Sequence, residues 1–270
     1  MGYKKIENQD IYGKPGEQDV FKNVEFINCN FKENLEGSKF IKCRFNNCEL
    51  KEDLSYSKFY NCNIRKSRFY FYNGNTFDNV VFEKCKLFQP LLFANYSEKM
   101  AFRKCSFLET DIILSNISDS EIINCYFREC PILFRRNNYE DKPFEIAPSA
   151  IISNSFVECN IDLSQLPEYL DHNNFIHCSL TNCDFPDTTS CSFFMCELDC
   201  AMFFGENKYN DYRMCYFDVM DFTNNDLSTC DFNDNTYHKA IFSNTVFNKE
   251  FSKEMPLLTK EQINGIIIKK

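Results

Sequence analysis

The segment YRMCYFDVMDFTNNDLSTCDFNDNTYHKAIFSNTVF, residues 212–247, places a large apolar side chain at every fifth position: Tyr212, Phe217, Phe222, Leu227, Phe232, Tyr237, Phe242 and Phe247. The same step runs through Phe77, Phe82, Leu87, Leu92, Ser97, Phe102, Phe107, Ile112, Ile117, Ile122, Phe127 and Ile132, with Ser97 the one polar member. Shorter runs sit at Phe21, Phe26, Phe31; at Phe40, Phe45, Leu50; at Phe59, Ile64, Phe69; and at Phe175, Leu180, Phe185. A period of five is neither the 3.6 of a helix nor the 2 of a strand. It requires a backbone that turns a corner once per repeat. Four corners close a coil of roughly 20 residues, and coils stacked at about 4.8 Å form a solenoid in which each unit buries its neighbour's apolar face. Residues 21–247 would make about 11 such coils and a rod about 50 Å long.

Composition agrees. The 270 residues are 44% hydrophobic, enough for a sizeable core, with 30 Phe, 14 Tyr and no Trp. Only 7 Gly and 8 Pro argue against collagen and against a low-complexity linker. No run of 18 apolar residues is present, so neither a membrane span nor a membrane partner is expected. The first twenty residues lack the apolar stretch of a cleavable signal, which points to the cytoplasm. Secretion by a route that needs no signal peptide stays open.

All 16 cysteines lie two residues before an apolar residue, as in Cys29 before Phe31, Cys43 before Phe45, Cys62 before Ile64, Cys130 before Ile132, Cys159 before Ile161, Cys200 before Met202 and Cys230 before Phe232. A thiol behaves as a small, readily buried hydrophobe. This second position is therefore expected to point inward as well. Cys85, Cys105 and Cys125, each 20 residues apart, should then stack on one face. A disulfide framework would need an oxidising compartment. The five-residue steps Cys43/Cys48, Cys178/Cys183 and Cys191/Cys196 do not have zinc-site spacing. His177 and Cys178 are neighbours in an extended segment, so they face opposite ways and cannot act as base and nucleophile. With three His in all (His172, His177 and His238) and no G-x-S-x-G, P-loop or G-x-G-x-x-G, no catalytic residue, cofactor or metal site is expected.

These residues resemble the pentapeptide-repeat proteins, whose unit is a small residue, Asp or Asn, Leu or Phe, and two variable positions. The matching triplets are CNF at Cys29–Phe31, CRF at Cys43–Phe45, CDF at Cys183–Phe185 and Cys230–Phe232, and CEL at Cys196–Leu198, with weaker copies at Ala201-Met202 and Ala240-Ile241. The resemblance implies an all-β solenoid: a right-handed quadrilateral β-helix with the Leu/Phe centre and the small residue inside and three positions facing solvent. Cys and Asn replace the family's usual Ala and Asp in many copies. The coil is expected over residues 21–251, interrupted near 137–149 (two prolines, no repeat) and 163–172, with residues 1–20 a polar arm or N-terminal cap.

After Phe251 the character changes. Thr259 and Gln262 form a capping box, and a short capping helix should follow and stop at Gly265 in a left-handed C-cap. Ile266, Ile267 and Ile268 read as a short apolar strand. A similar helix and apolar tail close the quinolone-resistance members of the family, where they serve dimerisation, so this strand is the candidate homodimer contact.

The net charge of −9 is unevenly spread. Residues 1–135 carry 20 basic and 18 acidic residues, whereas 136–270 carry 10 and 21. Within 156–234 there are 15 acids against Lys208 and Arg213, a balance of −13. Those residues span about four coils, about 20 Å, over which duplex DNA carries on the order of 12 charges. Asp184, Glu197, Asp199, Asp218, Asp221, Asp226 and Asp231 occupy positions expected to face outward and form the candidate acidic binding face. Acids also solubilise a solenoid, and sign alone selects no partner. The resemblance implies a non-enzymatic interaction rod: an acidic DNA mimic that binds type II topoisomerase (gyrase) and protects it from poisons. A bacterial effector or adaptor that binds its protein partner through the two interruptions is the other class. Direct nucleic-acid binding is disfavoured, because phosphates would be repelled.

Overall fold

Each side of the coil is a short extended segment centred on one inward residue, and the sides stack as parallel strands. The computed structural model describes residues 2–14, 17–33, 35–50, 54–70, 75–78, 80–88, 97–98, 100–115, 117–118, 121–135, 150–152, 154–161, 169–203 and 206–269. The chain divides into two compact units, Met1–Ser149 and Ala150–Lys270, each a right-handed coil of parallel strands.

In the first unit, one face stacks Lys4–Glu7, Val24–Ile27, Arg44–Asn46, Asn63–Arg65, Val81–Glu83, Ser106–Leu108 and Tyr126–Arg128. The next face runs from Asp10–Ile11 through Asn30–Phe31 and Glu49–Leu50 to Ile132–Arg135. The third side is irregular and buries Leu35 and Leu54; the fourth stacks Val20–Lys22, Lys39–Ile41, Lys58–Tyr60, Thr76–Asp78, Ala101–Arg103 and Glu121–Ile123. In the second unit the first face holds Ser155–Val157, Asn174–Ile176, Ser192–Phe194, Asp211–Arg213 and Asp231–Asn233. Its second face contains Glu197 and Tyr216–Asp218, its third Asp184–Phe185 and Met202–Phe203, and its fourth ends in Asp226–Leu227, Thr245–Phe247 and Ile266–Ile268.

The inward residues form aromatic columns at the coil spacing. Phe40 and Phe59 stack at 4.6 Å, and Phe156, Phe175, Phe193 and Tyr212 stack at 4.9, 4.9 and 4.8 Å. A fully buried phenylalanine contributes on the order of 2 kcal/mol, and each ring here also faces another ring in offset or parallel contact. The second inward position, two residues earlier, is small. Its thiols donate to carbonyls of the preceding coil, as Cys178 Sγ does to Phe156 O at 3.4 Å and Cys215 Sγ to Phe193 O at 3.3 Å. Fifteen of the 16 thiols are buried and none of the 16 is in a disulfide. Between sides the chain turns through single left-handed residues, frequently asparagine, which tolerates positive φ. Asn8, Asn28 and Asn47 occupy one such corner and link their side-chain amides at 2.9 and 2.8 Å.

Several expectations change. Residues 4–11, within the stretch expected as a polar arm or N-terminal cap, pair with Val24–Ile27 and Asn30–Phe31 as coil strands. The interruption at 137–149 lies outside the described residues. Of the interruption expected at 163–172, residues 163–168 also lie outside the described residues, while Tyr169–Asp171 is a strand with Leu170 fully buried. Cys85 does not stack with Cys105 and Cys125. Phe82 pairs with Phe107, 25 residues on, so this coil holds one extra five-residue step that keeps the sequence period while advancing one face. Cys85 instead lies over Thr110, whose Oγ1 accepts from its backbone N at 3.3 Å. Cys200 is a corner residue with φ 51° and only partly buried; Ala201 takes the small inward position and Met202 points out.

The C-terminus closes the second coil. Phe251 lies over Phe247 with ring centroids 3.6 Å apart. The helix Lys260–Asn264 carries both hydrogen bonds of the Thr259/Gln262 capping box. Gly265, however, has φ −88° and not a left-handed conformation. Glycine is needed there for close approach: a Cβ would sit 2.4 Å from Phe242 O.

Candidate functional site

With two positions of every five turned inward, the outer wall is what remains for recognition. The seven candidate acids all reach it, exposed or half-buried, but they do not share one face. Glu197, Asp199 and Asp218 stand on the second face and Asp184 and Asp221 on the third, so five of the seven lie on adjoining sides. Asp226 is on the fourth face beside Leu227, and Asp231 is on the first, opposite Asp211. The acidity is a girdle over all four faces, and the fourth alone carries Asp171, Asp187, Glu206 and Asp226.

Local partners set what each carboxylate can do. Asp218 Oδ1 meets His238 Nδ1 at 2.6 Å, and Asp221 Oδ1 accepts from Thr223 N at 2.9 Å. Hydrogen bonds from Ser228, and then the charge of Lys269, hold the Asp226 carboxyl below its usual value. The two cations of the acidic stretch are engaged at home: Lys208 pairs with Glu206, and Arg213 Nη2 lies 2.6 Å from Asp211 Oδ2. Neither of them pairs with the acids of the second and third faces.

The histidines do not assemble. His172 and His177 sit at different corners and His238 on the second face. His177 is exposed while the Cys178 side chain points into the bore. Among the described residues no group of three or more His, Cys, Asp or Glu is placed to hold a metal. No helix among them is long and apolar enough to cross a membrane. Burial pushes the thiols of Cys48, Cys85, Cys191 and Cys230 up to about 11, which keeps them protonated and unreactive at neutral pH.

Four sides per coil, a bulky centre with a small residue two positions earlier, and a left-handed corner between them together define the architecture. The fold is that of the pentapeptide-repeat proteins. No protein-family model and no curated protein matches the sequence. Among solved structures, the pentapeptide-repeat protein HetL, involved in heterocyst differentiation regulation in the cyanobacterium Nostoc sp. strain PCC 7120, is 8% identical with a TM-score of 0.39, over 87% of this chain and 92% of that one. Full-length QnrB1, a plasmid-mediated fluoroquinolone resistance protein, is 12% identical with a TM-score of 0.22, over 98% and 94%. A PL6-family alginate lyase, AlyGC, is 9% identical with a TM-score of 0.37, over the whole chain and 49% of that enzyme.

Three pentapeptide-coil features escaped the sequence reading. Asn154, Asn173, Asn210 and Asn235 fill small inward positions and bridge coils; Asn173 Nδ2 donates to Ile151 O at 2.8 Å and Asn210 Nδ2 to Thr188 O at 3.0 Å. Their signal was present, since each precedes Phe156, Phe175, Tyr212 or Tyr237 by two. Thr188 and Asn207 stand at bulky-centre positions of the fourth face, in register with each other. The third feature is a set of exposed apolar residues among the acids, Met195, Met202, Met214, Tyr216, Val219 and Ile241.

Proposed function

We propose that this chain is a non-catalytic interaction scaffold whose second unit binds a basic protein surface through its outer wall, with type II topoisomerase (gyrase) as the specific partner and protection from its poisons as the outcome. The observation that carries this reading is the balance of −13 over residues 156–234, with both cations of that stretch paired to acids and the carboxylates turned outward. A basic cleft that normally receives duplex DNA meets a comparable density of negative charge, and association would be steered electrostatically and weakened by salt. Ile266–Ile268 remains the proposed contact for a second copy, because Ile267 is half exposed on the last strand of the fourth face.

The test is a gyrase supercoiling assay with and without a quinolone. The chain is expected to restore supercoiling in the presence of the drug. No effect on supercoiling or on drug sensitivity at saturating protein would remove topoisomerase as the partner.

A further inference from the structure

In the second unit, exposed apolar side chains stand among the acids along the second and third faces and their corners. Met195 and Met214 take left-handed corner positions one coil apart, following the first-face strands Ser192–Phe194 and Asp211–Arg213. Tyr216 stands on the second face in register with Glu197, and Val219 takes the next corner. Met202 and Ile241 lie on the third face, paired with Asp184 and Asp221. All six are between 36% and 49% exposed. They fall on three consecutive coils, a band about 10 Å wide at strand spacing, close to the width of one helix.

The corners give independent support. Among the described residues 27 non-glycine residues have positive φ, and Val219 is the one β-branched member of that set, at φ 51°. Left-handed backbone disfavours such a side chain and solvent gives it nothing in return, and outliers of this kind gather at functional surfaces. Charge then selects the partner. Asp184, Glu197, Asp199, Asp218 and Asp221 alternate with these side chains, Asp221 standing between Met202 and Ile241 on the third face, and Lys239 is the sole Lys or Arg among the described residues of the second and third faces of this unit and their shared corner.

We propose that this band docks a basic amphipathic helix of a partner protein, its apolar stripe on the Met, Tyr, Val and Ile side chains and its Lys and Arg on the surrounding carboxylates. This rests on the reading of the second unit as a protein-binding surface and specifies it: the partner must present apolar residues beside basic ones, which imitation of a phosphate backbone does not require. Three of the chain's seven methionines lie here, and their unbranched thioethers conform to varied apolar stripes.

The experiment uses the full chain and two labelled peptides of equal positive charge, one a Lys/Leu helix with leucines on one face and the other with every leucine replaced by glutamine. The Lys/Leu peptide is expected to bind at least about tenfold more tightly and to keep measurable affinity at about 0.5 M salt, where charge alone is screened. The triple variant M202S, Y216S, I241T should lose about tenfold for that peptide only, at unchanged melting temperature. V219N should also weaken it, while relaxing the corner and so not lowering the melting temperature. Equal binding of both peptides, or an unaffected triple variant, overturns the band while the acidic surface keeps its role. Binding of neither peptide overturns the band too, and the supercoiling assay then decides the acidic reading separately.

Discussion

The phenol of Tyr237 donates to Glu254 Oε2 at 3.0 Å inside the closed end of the second coil. Glu254 is buried there, and its two oxygens also accept from the backbone N of Asp234 at 2.9 Å and of Asn235 at 3.1 Å. A carboxylate from the closing segment thereby satisfies donors that a further coil would otherwise have taken. E254A leaves three donors unpaired, two of them buried, and is expected to destabilise the protein by about 3 kcal/mol, with E254Q falling between it and the parent. Urea denaturation measures this, and a loss under about 0.5 kcal/mol would show that the closure does not depend on this carboxylate.

The opposite sign is expected at Asn207. It occupies a bulky-centre position, and its Nδ2 has no hydrogen-bond partner among the described residues. Leucine there removes an unsatisfied donor and restores the apolar column between Thr188 and Leu227. N207L should gain about 1 kcal/mol in the same denaturation experiment.

Thiol chemistry divides the cysteines. Iodoacetamide on the native protein should label Cys200, the one thiol not buried, and spare the other fifteen until unfolding. The buried thiols also set an alkaline limit. Unfolded they ionise near 9.0, whereas folded Cys48, Cys85, Cys191 and Cys230 hold their protons to about 11. The folded state therefore binds more protons between those values, and stability is full below pH 9 and falls as pH rises from about 9 to about 11. A melting temperature unchanged across that window would contradict the burial of these groups.

The tail makes a testable contact. Sedimentation of the parent is expected to give twice 32.0 kDa, and I267K, which puts a charge on the exposed centre of Ile266–Ile268, to give the single mass. A parent that sediments as a monomer at all concentrations would remove the tail as a dimer contact.

The four-sided coil was legible because one physical rule, bulky inside and turning every five residues, repeats along the chain and survives individual exceptions such as Thr188. Coil length was not legible in the same way. An extra five-residue step before Phe107 leaves the period intact, and four-residue sides such as Phe31 to Leu35 look like mere frame shifts. That is why the period alone puts Cys85 and Cys105 in one column. Outward orientation of Asp184 or Glu197 followed from the repeat, but their grouping on adjoining faces required coil lengths. Gly265 suited a helix end for the right sequence reason and the wrong geometric one, since close contact with Phe242 is visible only once the closing segment is folded back.

The most direct test of the second unit as a binding surface is the salt dependence of affinity for purified gyrase, measured for the full chain and for the charge-neutralised variant D184N, E197Q, D199N, D221N. The expected result is binding that weakens steeply with salt in the parent, and in the variant a markedly lower affinity with a shallower slope at unchanged melting temperature. Equal affinity and equal slope for the two proteins would contradict it.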